Sequence, residues 1–192
     1  MPALSKRDQL VNTALAMFTR DGFHSTGING ILEEAGVAKM TLYKYFKSKD
    51  ELVVAALRLR DERFRDWFMQ YVEADDAGPR ERLLRVFDAL NLWFNDKSVP
   101  GDKFRGCTFV NAASEYHDID NPVRSLCAEH KRMMSMYLRG LVVQAGLRNP
   151  DSLAQQLNLL VEGAISNAYV CGDKNSALTG KAAAEALIKA AG

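Results

Sequence analysis

The sequence predicts an all-α protein: an N-terminal three-helix head followed by a larger helical bundle, about nine helices in total. Three observations predict it. Apolar residues recur at helical spacing almost throughout, and no segment alternates as a half-buried strand would. Ser, Asp, Gly and Pro fall where helices of ordinary length start and stop. A chain of 192 residues suffices for one sizeable core, or for a small domain joined to a larger one.

Each element carries its own start and stop signals. Ser5 and Asp8 form a capping pattern, and Leu10, Ala14 and Phe18 then recur on one face until Gly22 stops the first helix. A short second helix is expected over 28–35, with Thr26 as its N-cap and Gly36 as its end. Val37 and Ala38 lead into a third helix over 39–46. Ser48 caps the fourth, with Asp50 and Glu51 in its first turn, and that helix runs to about residue 72. After the break "EADDAGPRE", further helices are expected over 80–94, 107–116, 122–146, 150–172 and 177–191. The loop "NDKSVPGDKFRG" separates the first two of these, and Pro122 and Pro150 suit helix first turns. The division this suggests is a head of 1–47 and a bundle of 48–192.

Composition narrows the function classes. A hydrophobic fraction of 47% excludes wholesale disorder, and no apolar run approaches the roughly 20 residues of a membrane span. "MPALSKRDQL" lacks an apolar signal core, so a cytoplasmic protein without membrane association is expected. Cys107, Cys127 and Cys171 are odd in number and widely spaced, which suits reduced thiols. No CxxC pair or HExxH spacing suggests a metal, and no motif calls for a cofactor.

Charge is concentrated in one place. The chain carries a formal charge of only +1, yet residues 39–49 hold four lysines, two tyrosines and no acid. Two short helices joined by a Gly-containing turn form a helix-turn-helix. Leu42 and Phe46, four apart, face inward onto Leu10, Phe18 and Ile31. Lys39, Met40, Tyr43 and Lys44 then project outward together. A short basic helix can enter a DNA major groove, where lysines neutralise phosphates and tyrosine hydroxyls hydrogen-bond to them. Surface lysines alone would mean only a solvated face. The agreement between the turn, the inward apolar residues and the outward basic ones favours DNA.

The segment "TGINGILEEAGVAKMTLYKYFKSKDEL" resembles the DNA-binding signature of the TetR family of bacterial transcriptional repressors. The matching positions are Thr26, Ile31, the Ala35-Gly36-Val37 turn, Lys39, Leu42-Tyr43, Tyr45-Phe46, Lys49 and Leu52. The resemblance covers about 5–56. It implies DNA contacts from Lys39, Met40, Thr41, Tyr43, Lys44 and Tyr45, with Thr26 and Lys49 holding phosphates. Met40 stands where many members carry glycine, and Gly27 where many carry Ser or Thr. It further implies a homodimer on a pseudo-palindromic double-stranded operator, released by a small-molecule effector and most simply a repressor.

The bundle supplies candidates for the remaining roles. A dimer through the last two helices would use Leu153, Leu157, Leu160, Ala164 and Ala168 with Ala183, Ala184, Leu187 and Ala191. An effector pocket would take apolar walls from Trp93, Phe94, Phe109, Met133 and Tyr137. Its polar anchors would be Asn111, Glu115, His130, Asn158 and Glu162. Each has a plainer reading, as core packing or as part of a solvated face. Cys107, beside Arg105 at an expected helix start, is the candidate for a thiol that senses oxidants or electrophiles. A helical enzyme using His117, Asp118 and Asp120, or Glu115 with His130, is the alternative of a different class. It lacks any nucleophile or phosphate-loop motif. An interaction module without DNA is the third, and the basic face argues against it.

Overall fold

A computed structural model describes residues 4–99 and 101–192; Pro100, in the expected loop, and the first three residues of the N-terminal segment lie outside the described residues. The described chain is helical: α1 (Lys6–Asp21), α2 (Ile28–Ala35), α3 (Lys39–Tyr45), α4 (Lys49–Val72), α5 (Pro79–Phe94), α6 (Thr108–Glu115), α7 (Pro122–Gln144), α8 (Pro150–Val170) and α9 (Ser176–Ala191). These bounds fall within a few residues of those expected.

The chain forms two compact units. One contains residues 1–63 and 107–130, the other 64–106 and 131–192. The first unit therefore includes α6 and the starts of α4 and α7 along with the three helices of the head. In it, α1, α2 and α3 pack on one another around Leu10, Ala14, Phe18, Ile31 and Leu42, all essentially inaccessible. Phe18 and Phe23 stack with ring centroids 5.2 Å apart. Each such buried aromatic or leucine contributes about 1.5–3 kcal/mol relative to exposure.

Local chemistry closes the helix ends. The Ser5 hydroxyl accepts from Asp8 N–H at 3.1 Å, as expected. Ser48 accepts from Glu51 N–H at 3.2 Å, while the Glu51 carboxylate reaches back to Lys47 N–H at 2.7 Å. One expected cap is different. The N-cap of α2 is Gly27, with no side-chain cap bond, whereas Thr26 is buried and donates its hydroxyl to the Gly22 carbonyl at 2.7 Å. It stands one residue before the N-cap, with its hydroxyl turned into the preceding turn and away from solvent.

In the second unit α9 packs against α5 and α8. Gly180 permits this approach, since a Cβ there would stand 3.1 Å from the Phe87 ring. A second correction concerns the expected dimer stripe. Leu153, Leu157, Ala164 and Ala168 are buried within the protomer, as is Ala184 of α9. The exposed row on α8 is instead Leu159, Gly163, Ser166 and Val170, spaced 4, 3 and 4 residues apart. No helix among the described residues is long and apolar enough to cross a membrane.

Candidate nucleic-acid interface

Gly36 creates the turn between α2 and α3. It adopts left-handed backbone angles (φ 61°, ψ 39°), which glycine reaches at little cost. Its N–H bonds to Glu33 C=O, and Val37 N–H reaches Leu32 C=O at 3.1 Å. This is a Schellman closure, with Val37 and Leu32 both buried beneath it. The chain leaves the turn with α3 already aimed.

Burial then sorts the faces of α3. Leu42 and Phe46 are hidden, at 0% and 4% exposure. Lys39, Met40, Tyr43, Lys44 and Tyr45 are exposed, Met40 at 87%, and Thr41 is half-buried. Among the described residues, neither Lys39 nor Lys44 makes an ion pair. The neighbouring acid Glu34 is held by Arg20 at 3.3 Å. Arg7 lies over the Phe46 ring at 5.5 Å, covering the end of α3 with a cation–π contact. The outward set expected from the sequence shares one surface.

Lys49 is placed differently. It is half-buried at the start of α4, and its Nζ donates to the His24 carbonyl at 3.3 Å. Burial lowers its pKa, against the raising effect of Glu115 and Asp50.

His24 sits at the centre of a polar cluster that sequence reasoning missed. The Glu115 carboxylate, at the end of α6, accepts from Phe23 N–H at 2.9 Å and from His24 N–H at 2.6 Å. It also lies 3.2 Å from His24 Nδ1. Burial opposes its ionisation, but those N–H groups and the imidazole outweigh burial and hold the carboxyl below its ordinary range. Tyr116 stacks on the His24 ring at 5.1 Å. Asp50 of α4 accepts from Tyr116 Oη at 3.4 Å and from Asn121 Nδ2 at 3.1 Å. Burial, then Asp50, push the Tyr116 phenol up. Glu115 is thus bound to the head's backbone and is not free to anchor a small molecule. Ninety-one residues separate it from His24, and no local pattern links the two.

The other expected effector residues divide between the units. In the first, His130 is buried, stacks on Phe109 at 3.7 Å and pairs with Asp61 at 2.6 Å, so its partner is not Glu115. Asn111 is half-buried there too. In the second, Trp93 lies among Phe64, Phe94 and Phe104, and its buried Nε1 has no hydrogen-bond partner among the described residues. Phe94 is buried beside it. Tyr137 donates to Glu73 at 3.0 Å, and burial together with that bond pushes its phenol up. Glu162 is held by Lys131 at 2.7 Å, while Met133 and Asn158 are half-buried. Cys107 does start α6, but it is 7% exposed; the exposed thiol is Cys171. His117, Asp118 and Asp120 are all solvent-facing.

Residues 10–56 match the family described as bacterial regulatory proteins, tetR family, and residues 79–184 match the tetracyclin repressor-like C-terminal domain. The chain belongs to the TetR family. It is 22% identical over 165 residues to the HTH-type transcriptional regulator YjdC of Escherichia coli K12, covering 86% of this chain and 84% of that one. The HTH-type transcriptional repressor KstR2 of Mycobacterium tuberculosis H37Rv is 39% identical over 88 residues, 44% of this chain and 42% of the relative. Among solved structures, SCO4454 from Streptomyces coelicolor, a TetR-family transcriptional regulator, superposes with a TM-score of 0.85 at 26% identity. That match covers 97% of this chain and 95% of the other. The sav143 protein of Streptomyces avermitilis gives 0.83 at 31% identity, covering 98% of both chains. As TetR-family regulators typically are, this is a DNA-binding transcriptional regulator.

Proposed function

We propose that the chain is a homodimeric repressor that reads a pseudo-palindromic DNA operator through α3 and releases it when a small molecule binds the bundle. The observation that carries the reading is the sorting of α3. Leu42 and Phe46 are hidden, while Lys39, Met40, Tyr43, Lys44 and Tyr45 are exposed, with Thr41 at the margin. Lysines and tyrosines hold phosphates; Met40 offers an apolar contact of the kind a thymine methyl accepts. The buried Thr26 lies within the turn before α2 and Lys49, from α4, bonds to it, so both support this surface rather than extend it. In this reading residues 1–47 are the DNA-binding part and 48–192 serve effector binding and dimerisation.

Two protomers would meet through α8 and α9, using the exposed Leu159, Gly163 and Val170 and the small exposed Ala183 and Ala186. Such a dimer sets its two α3 helices about one DNA turn, roughly 34 Å, apart. Trp93, Phe94, Met133, Tyr137 and Asn158 are the favoured effector contacts, and the orphaned Trp93 Nε1–H suits an acceptor on the effector. An effector acts by binding the released state more tightly than the DNA-bound state. The burial of Cys107 disfavours a thiol trigger at that position.

Selection of bound sequences from a random duplex pool tests the reading. An inverted repeat with half-sites about 10 base pairs apart is expected. Failure to enrich any duplex, or enrichment unaffected by Lys44→Ala, contradicts it.

A further inference from the structure

The turn between α1 and α2 cannot hold its own shape by main-chain bonds alone. Residues 23–27 carry N–H groups that no helix uses, and two of them, at Phe23 and His24, are satisfied by Glu115 of α6. The carbonyl of His24 is taken by Lys49 of α4. The His24 ring is stacked against Tyr116, and Tyr116 and Asn121 in turn meet Asp50 of α4. One residue of the turn is therefore gripped at its N–H, its C=O and its ring, by groups far away in sequence.

Gly22 shows that the approach is close. Its φ of 93° favours glycine, and a Cβ there would stand 3.3 Å from Glu115 Oε1 and 3.1 Å from Ser25 Oγ. The turn is thus shaped to admit the carboxylate. Beyond the turn the chain is stiff. Gly27 is the N-cap of α2, α2 is only eight residues long, and the Schellman closure at Gly36 ties it to α3. A change in the turn is carried through α2 to the exposed face of α3 with no flexible segment between.

We infer that Glu115 is a positioning residue for DNA reading, through which α6 sets the orientation of α2 and α3. The inference rests on the repressor reading above for its DNA consequence, but not for the latch itself. A carboxylate offers two acceptor oxygens, one to each N–H. In Glu115→Gln one of them becomes an amide donor facing an N–H, so one bond is lost and the other strained. Displacing α6 would break the same two bonds, which makes the latch a route by which the bundle can reach the head.

The test uses the full-length protein and two readouts. Amide hydrogen exchange on Glu115→Gln is expected to rise about tenfold or more at Phe23 and His24, with the amides of α1 from Leu10 to Phe18 unchanged. Affinity for the duplex recovered by selection is expected to fall about tenfold at an unchanged salt slope, because the phosphates contacted stay the same. His24→Ala, which removes the ring but keeps both amide bonds, is expected to stay within about threefold of wild type. If Glu115→Gln does not fold, Glu115→Asp keeps the charge at shorter reach and is expected to lie between the two. Exchange unchanged at Phe23 and His24 overturns the latch. Lost protection with unchanged affinity overturns the positioning role. A wild-type protein that selects no duplex removes the repressor reading and the positioning role with it, while the exchange experiment still decides the latch.

Discussion

The two ends of α2 are built by opposite means. Its exit is closed by its own backbone: Gly36 turns left-handed, and Val37 and Gly36 return their N–H groups to Leu32 and Glu33. Its entry has no side-chain cap at Gly27 and relies on Glu115 and Lys49, which come from two other helices. The geometry between α2 and α3 is therefore fixed as soon as those residues fold. The geometry between α1 and α2 is conditional on α4 and α6 being in place. A regulator gains from this arrangement. The reading surface stays intact while its aim can be altered from elsewhere.

Disturbing α3's packing, and then the exit that precedes it, is expected to have the largest effect. Leu42→Ala empties a fully buried site and is expected to cost about 2–5 kcal/mol, read from the urea unfolding midpoint. Gly36→Ala meets no neighbouring atom within 4 Å, so its cost is conformational, about 1–2 kcal/mol in the same measurement. On the bundle, Leu159→Glu places two charges against each other across the proposed dimer and is expected to yield monomers in sedimentation at micromolar concentration.

The entry can also be probed with pH. The Glu115 carboxyl is lowered from its ordinary value of 4.5, so its contribution is complete above that value. It is lost as pH falls through the lower, folded-state pKa. The groups facing it are His24 in the turn, Tyr116 on its own side and Lys49 of α4. The amide proton shifts of Phe23 and His24 are expected to move together as pH falls below about 4.5, as Glu115 takes up a proton. The smallest effect expected is a gain. Gly27→Ser supplies the missing cap in open space and is expected to add a few tenths of a kcal/mol to thermal stability.

The same contrast explains what is legible in the sequence. The hidden Leu42 and Phe46, the exposed Lys39 and Lys44 and the turn at Gly36 are all decided by neighbours within five residues, where helical spacing governs the outcome. Thr26 escapes that logic because Gly27 takes the N-cap position, one residue on, and the Thr26 hydroxyl donates to Gly22 C=O in the turn before it. Glu115 resembles an effector anchor because a carboxylate on an apolar helix gives no sign of which distant N–H it serves. The α8 stripe resembles a partner surface for a similar reason. Periodicity marks a buried face but not whether the cover comes from the same chain, and here α9 covers it.

The central claim is that the exposed lysines of α3 meet DNA phosphates. It is tested most directly by equilibrium binding of wild type and Lys44→Ala to the selected duplex across a salt series. The account predicts weaker binding and a log–log salt slope shallower by about one counterion per protomer, with the dimer intact. An unchanged affinity and slope in Lys44→Ala would contradict it.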